Sequence, residues 1–141
     1  MTFTSQFLSE AAEVAKRIDR EAIEKIADLL LELRQRKGRL FVLGVGGGAG
    51  HATHAVGDFR KIAGIEAYSA SDNVAELTAR TNDEGWETTY AAWLAGSHLR
   101  SEDMIFVFSV GGGDLKHNIS PNLVRAVAYA REVGAKIVGV L

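Results

Sequence analysis

Two stretches of the chain combine residue types that do chemistry. The first is "GVGGGAGHATHAVGD", Gly44 to Asp58, in which a glycine-rich turn runs into a segment carrying His51, His54 and Asp58. The second is "SVGGGDLKHNISPNL", in which another glycine run is followed by a polar loop and Ser120-Pro121-Asn122. Glycine at such a turn lets successive backbone N–H groups face an anion without obstruction by side chains. A helix starting there adds its positive end. The same glycines also serve tight strand-to-helix turns, so one run alone decides little. On a helix, His54 and Asp58 are four residues apart and share a face, with His51 one turn earlier. Such a pair is either a solvated ion pair or part of a site for a divalent ion such as zinc. His51 reads as surface.

These residues need elements to hold them. From Ser5 to Lys37 apolar residues recur every three or four positions, the pattern of helix. Asp19 is placed to cap a second helix, and Gly38 to end it. "RLFVLGV" reads as a buried strand. A helix is expected from about Ala49 to Ala63, and "IEAYSAS" is a second, weaker strand. Asn73 to Arg80 reads as a short helix and Trp86 to Leu99 as a longer one, separated by the polar turn "TNDEG". "DMIFVFSV" is a third strand. "PNLVRAVAYAREVG" is a helix bounded by Pro121 and Gly134, the expected asymmetry of helix ends. "AKIVGVL" is a fourth strand.

Apolar strands alternating with helices imply an α/β fold, a three-layer, doubly wound parallel sheet. "FVLGVGGGAG" and "FVFSVGGGDL" echo each other, each a strand running straight into glycines. In a flavodoxin-like order 2-1-3-4 the first and third strands are neighbours. Their glycine turns then face each other across the crevice where such sheets bind ligands. The leading helices fall outside the alternation, giving an N-terminal helical part at 1–37, for packing or oligomerisation, and a sheet domain at 38–141.

Composition narrows the classes. The 141 residues suit one domain, and 47% are hydrophobic, enough for a core. A formal net charge of −2 offers no basic footprint for nucleic acid. There is no cysteine, so thiolate metal sites and disulfides are excluded. No apolar run approaches the ~20 residues that span a bilayer, and the N-terminus lacks the pattern of a signal peptide. A soluble, cytoplasmic protein is expected. Gly44-x-Gly46-x-x-Ala49 fits the dinucleotide fingerprint G-x-G-x-x-G/A. That reading also needs an acidic residue after the second strand. Asp72 is near that place but resembles a helix-start residue, and no nucleotide cofactor is expected.

Taken together, the chain resembles a sugar isomerase (SIS) domain, and within that group the sedoheptulose 7-phosphate isomerases, also called phosphoheptose isomerases. Members show a segment like G-N-G-G-S-A-x-x-A-x-H-x-x-x-E after the first strand, here "GVGGGAGHATHAVGD". They show A-N-D-x-G-Y-E, here within "TNDEGWE", and S-T-S-G-N-S-P-N-V after the third strand, here "SVGGGDLKHNISPNL". The resemblance covers essentially the whole chain, with three motifs in order.

It implies an aldose–ketose isomerase acting on a phosphorylated sugar, sedoheptulose 7-phosphate in heptose synthesis. Val45, Gly46, Gly47 and Gly48 would hold the substrate phosphate, with Ser109, Val110, Gly111 and Ser120 of the second loop. Asn82 and Asp83 match a pair that contacts sugar hydroxyls; capping the helix at Trp86 is their alternative role. His54 matches a metal ligand, with zinc as the expected ion. Asp58 matches a glutamate that is both ligand and general base, and is one methylene shorter. The family's loop hydroxyls are replaced here by Gly48, Val110 and Gly111. Within the longer second loop, Lys116 or His117 could supply positive charge. The resemblance also implies a homo-oligomer, a tetramer with sites between subunits. It implies a fifth strand and final helix beyond Leu141, bearing a glutamine and a metal-binding histidine, so the chain is expected to be truncated at its C-terminal end. A non-catalytic SIS module, binding a sugar phosphate or a protein, is the alternative function, and a dinucleotide-dependent oxidoreductase a weaker one.

Overall fold

A computed structural model describes residues 1–141. The chain forms two compact units, Met1–Leu30 and Leu31–Leu141. The first holds Phe3–Arg17 (α1) and most of Arg20–Gln35 (α2). Each start is capped by a side chain. Thr2 Oγ1 accepts from the Ser5 amide at 3.2 Å, and Asp19 Oδ1 accepts from the Ala22 amide at 3.0 Å, as its sequence position foretold.

In the second unit four parallel strands form one sheet in the order β2-β1-β3-β4, the expected one. The strands are Leu40–Gly44 (β1), Ala67–Ser69 (β2), Met104–Phe108 (β3) and Lys136–Val140 (β4). Between them lie Gly47–Lys61 (α3), Val74–Glu84 (α4), Thr89–Gly96 (α5) and Pro121–Val133 (α6). Alternate strand residues face opposite sides. Phe41, Leu43, Ile105 and Val107 join Tyr90, Trp93 and Leu94 of α5 and Leu123, Ala126 and Ala130 of α6 in one buried cluster. Leu40, Val42, Met104 and Phe106, equally buried, point the other way. Helix α3 packs on β1, β2 and β3 and buries Gly48, Ala52 and Val56.

At the start of β1 and β3 an ion pair is sealed into the sheet. Asp103, fully buried, accepts from Arg39 Nη2 at 2.6 Å and Nε at 3.2 Å, and from the amides of Arg39 and Arg100. Burial works to raise the Asp103 pKa. The hydrogen bonds from Arg39 and the two amides outweigh it and hold the carboxyl below its ordinary value.

Three local expectations are corrected. The end of α2 is turned by Lys37 (φ 57°), not by Gly38. Gly38 is instead where backbone passes closely: a Cβ there would lie 2.4 Å from the Glu102 carbonyl oxygen. Helix α4 does not stop at Arg80. Arg80 pairs with Glu76 at 2.9 Å and with Glu84 at 3.3 Å, and this i,i+4 ladder carries the helix through the expected turn "TND". It ends at Gly85, whose φ of 87° and ψ of 149° suit glycine alone. Helix α5 therefore starts at Thr89 rather than Trp86, with no side-chain cap.

Candidate functional site

Strand β1 ends at Gly44, and the chain turns at Gly46 (φ 57°, ψ −120°) directly into α3. That conformation again requires glycine. The amides of Gly48, Ala49 and Gly50 are consumed by the carbonyls of Val45 and Gly46, whereas those of Gly46 and Gly47 make no backbone bond. Two N–H groups at the positive end of a helix thus stay free for an anion. Gly44 and Gly48 let strand and helix touch. A Cβ on Gly44 would sit 2.2 Å from the Gly48 carbonyl, and one on Gly48 would sit 2.6 Å from the Phe108 carbonyl oxygen at the end of β3. Phe108 thus occupies the space that a side chain at Gly48 would need.

The second loop leaves β3 at Ser109. Its hydroxyl donates to the Gly112 carbonyl at 2.9 Å, so its proton is committed within the loop. Ser109 also lines the apolar hollow beside Val107, Val127 and Ile137 rather than the crevice. Val110 is fully exposed, and Gly111 has open space around it. The inserted "DLKHNI" is ordered as a small hairpin: Asp114 and Ile119 exchange amide–carbonyl bonds of 2.9 and 2.8 Å. Asp114 also accepts from the amides of Lys116 and His117, and its other oxygen meets His117 Nδ1 at 2.5 Å. The His117 contact leads the causes that hold the Asp114 carboxyl below its ordinary value. The hairpin delivers Asn118 and then Ser120 to the start of α6. Ser120 takes a left-handed conformation (φ 43°) and its hydroxyl makes no capping bond.

These pieces meet in one crevice of about 490 Å³ at the C-terminal ends of β1 and β3. Its walls are Val45 of the first loop, Trp86 and Glu87 of the α4–α5 turn, and Asn118, Ser120 and Pro121 of the second. This is the topological switch point, where sheets of this order bind ligands. Of the residues singled out from the sequence, Val45 and Ser120 line it. Asn82 and Asp83 do not. They sit exposed in the last turn of α4, bonded to each other at 2.8 Å, and they cap no helix. Trp86 and Glu87, a few residues on, take the wall position. Glu87 already ended the quoted "TNDEGWE", but nothing in its spacing distinguished it from surface. Asp72 accepts from the Ser69 amide at 3.2 Å, closing the turn after β2, and Asn73 caps α4.

On α3, His54 Nε2 lies 3.3 Å from Asp58 Oδ2, and both side chains are mostly exposed. His51 is exposed and its ring lies 6.0 Å from that of Phe108. No group of three or more His, Cys, Asp or Glu residues is placed to hold a metal ion. A resident zinc takes three or four protein ligands, so His54 and Asp58 do not by themselves make one. No helix is long and apolar enough to cross a membrane.

A parallel sheet with a glycine turn running into a helix at the end of β1, and a crevice at the switch point, defines the doubly wound class of α/β protein. The model of the SIS domain family matches residues 6–141, and the chain belongs to that family. It is 33% identical over 125 residues to the phosphoheptose isomerase of Mycobacterium tuberculosis (strain ATCC 25177 / H37Ra), covering 84% of this chain and 59% of that protein. It is 29% identical over 139 residues to the lincomycin biosynthesis protein LmbN of Streptomyces lincolnensis, covering 94% of this chain and 50% of that protein. The chain thus spans between half and three-fifths of these relatives. Among solved structures, phosphoheptose isomerase GmhA from Neisseria gonorrhoeae superposes with a TM-score of 0.81 at 23% identity over 98% of this chain and 75% of that one. The phosphoheptose isomerase from Francisella tularensis gives 0.81 at 21% identity. These two likenesses concern the fold.

Proposed function

We propose that the chain is the SIS part of an aldose–ketose isomerase for a phosphorylated sugar, sedoheptulose 7-phosphate being the substrate the relatives suggest. The observation that carries this is the crevice: Val45, next in the chain to the free amides of Gly46 and Gly47, faces Asn118, Ser120 and Pro121 at the start of α6 and the wall of Trp86 and Glu87 across a volume that suits a sugar phosphate. The phosphate sits against the amides of Gly46 and Gly47 and the Ser120 hydroxyl. Isomerisation moves one proton between adjacent carbons through an enediol, and a carboxylate is suited to carry it. Asp58 is assigned that part, with His54 beside it. His54 and Asp58 alone, two donors, do not complete a zinc site.

Asp58 and His54 face solvent on a helix whose other face covers the sheet. A base in that position serves a site completed by a second copy of the chain. Helix α1 buries none of its residues and exposes Phe3, Phe7, Leu8 and Val14, the kind of apolar surface that marks an interaction site. Both features support a homo-oligomer, a tetramer by resemblance, with sites between subunits.

A second reading, a binding module without turnover, is favoured by the Phe108 carbonyl filling the place of a loop hydroxyl at Gly48. Incubation with sedoheptulose 7-phosphate, followed by NMR for the aldose phosphate, separates the two. Turnover lost in Asp58→Asn supports the isomerase. Binding without turnover supports the module.

A further inference from the structure

We propose that Trp86 and Glu87 are the specificity-determining wall of the crevice: Trp86 lies against the C–H face of a phosphorylated polyol and Glu87 accepts its hydroxyls. This rests on the sugar-phosphate reading above and extends it to residues with no assigned role.

Trp86 is 39% exposed, and what it exposes is held in place. Its ring meets Tyr90 edge-on, centroids 5.7 Å apart at 64°. Tyr90 is buried, and its hydroxyl donates to the Gly44 carbonyl at 2.7 Å. Burial pushes the Tyr90 phenol above its ordinary pKa, so the donor keeps its proton. Gly44 immediately precedes the first glycine loop. The indole is therefore referenced to the loop that receives the phosphate, through two contacts that tie the α4–α5 turn to the end of β1. A surface fixed before binding loses little freedom on binding.

Glu87 is fixed from the other side. Its Oε1 accepts from Arg125 Nη2 of α6 at 3.0 Å, while Oε2 has no partner. An ionised carboxylate only accepts, and its hydrogen bonds to hydroxyls are charge-assisted. It also repels a phosphate. The crevice is thereby polarised, with free amides at the first loop and a carboxylate on the facing turn. A ligand with an anionic end and a hydroxylated chain fits in one direction only. Trp86, Val45 and Pro121 give the apolar strip that a sugar's C–H face needs, since the face of an aromatic ring carries negative charge and C–H groups carry positive.

The chain has two tryptophans, and Trp93 is only 9% exposed within the core, so a ligand-dependent change in emission reports on Trp86. The full chain is titrated with sedoheptulose 7-phosphate and, separately, with inorganic phosphate, following tryptophan emission and heat of binding. The sugar phosphate is expected to blue-shift the emission and inorganic phosphate to leave it unchanged. Trp86→Phe abolishes the optical response. Glu87→Gln weakens the sugar phosphate by about tenfold or more, the worth of a hydrogen bond to a charged group, while inorganic phosphate, relieved of a repelling charge, binds no more weakly than before. Both positions are partly exposed, and circular dichroism verifies folding. Binding detected by heat with unchanged emission, or a Glu87→Gln loss shared equally by both ligands, overturns the assignment while leaving the sugar-phosphate site standing. No binding of either ligand overturns the site itself, and this assignment with it.

Discussion

The contact between α3 and the sheet makes a quantitative prediction that runs against helix propensity. Gly44, Gly48 and Gly50 lie within two turns of one another, and none has a positive φ. On propensity alone, alanine should improve the two helical positions by about 0.5–1 kcal/mol each. The structure separates them. A Cβ at Gly50 meets nothing within 4 Å, one at Gly48 comes within 2.6 Å of the Phe108 carbonyl oxygen, and one at Gly44 within 2.2 Å of the Gly48 carbonyl. Ordinary contact is roughly 3.5 Å, so Gly48→Ala must open a gap of about 0.9 Å between helix and strand. Overpacking of this kind costs about 1–3 kcal/mol. Less the propensity gain, Gly48→Ala should destabilise by about 0.5–2 kcal/mol. Gly44→Ala must displace backbone by more and should cost more.

The assay is thermal and urea unfolding of the three variants beside the parent. At roughly 3–5 °C per kcal/mol for a chain of this size, Gly50→Ala should raise Tm by a few degrees. Gly48→Ala should lower it by 2–10 °C, and Gly44→Ala should lower it further. A Gly48→Ala variant as stable as Gly50→Ala would refute the reasoning. It would mean that the Phe108 carbonyl yields freely, and that the serine which the resemblance places at this position could simply be restored.

The other two lost hydroxyls behave differently. Val110 is fully exposed and Gly111 open, so Val110→Thr and Gly111→Ser should change stability by less than about 0.5 kcal/mol. Each hydroxyl that reaches the phosphate should tighten sugar-phosphate binding roughly two- to tenfold, measured by calorimetry. At the other end of the sheet, Arg39→Met leaves Asp103 buried without its cation and should cost about 3–5 kcal/mol in urea unfolding. The Asp103 pKa is depressed in the folded chain, so its contribution is complete above the unfolded value of about 3.9 and fades as pH falls through the folded value. The stability gap between the parent and Asp103→Asn should therefore hold from pH 7 to about 5 and narrow below about 4; a gap constant down to pH 2 would show that the carboxyl is not depressed.

What could be read from residue order was whatever depends on short-range pattern. The parallel sheet followed from apolar strands alternating with helices, its strand order came with the doubly wound fold class, and Pro121 and Gly134 do bracket α6. The wall of the crevice was not readable in that way. Asn82 and Asp83 looked like turn residues, yet the pairing of Arg80 with Glu76 and Glu84 draws them into a helix. The turn is thereby moved to Gly85, and Trp86 and Glu87 come to the site. Where that turn points depends on Tyr90 bonding Gly44 and on Arg125 bonding Glu87, contacts between residues dozens of positions apart that leave no local trace. Gly48 shows the same limit from the other side. Its missing hydroxyl was visible in the sequence, but only the position of the Phe108 carbonyl shows that the space for it has gone. Replacement of a binding group and closure of its space are one event in three dimensions, and the sequence records only the first.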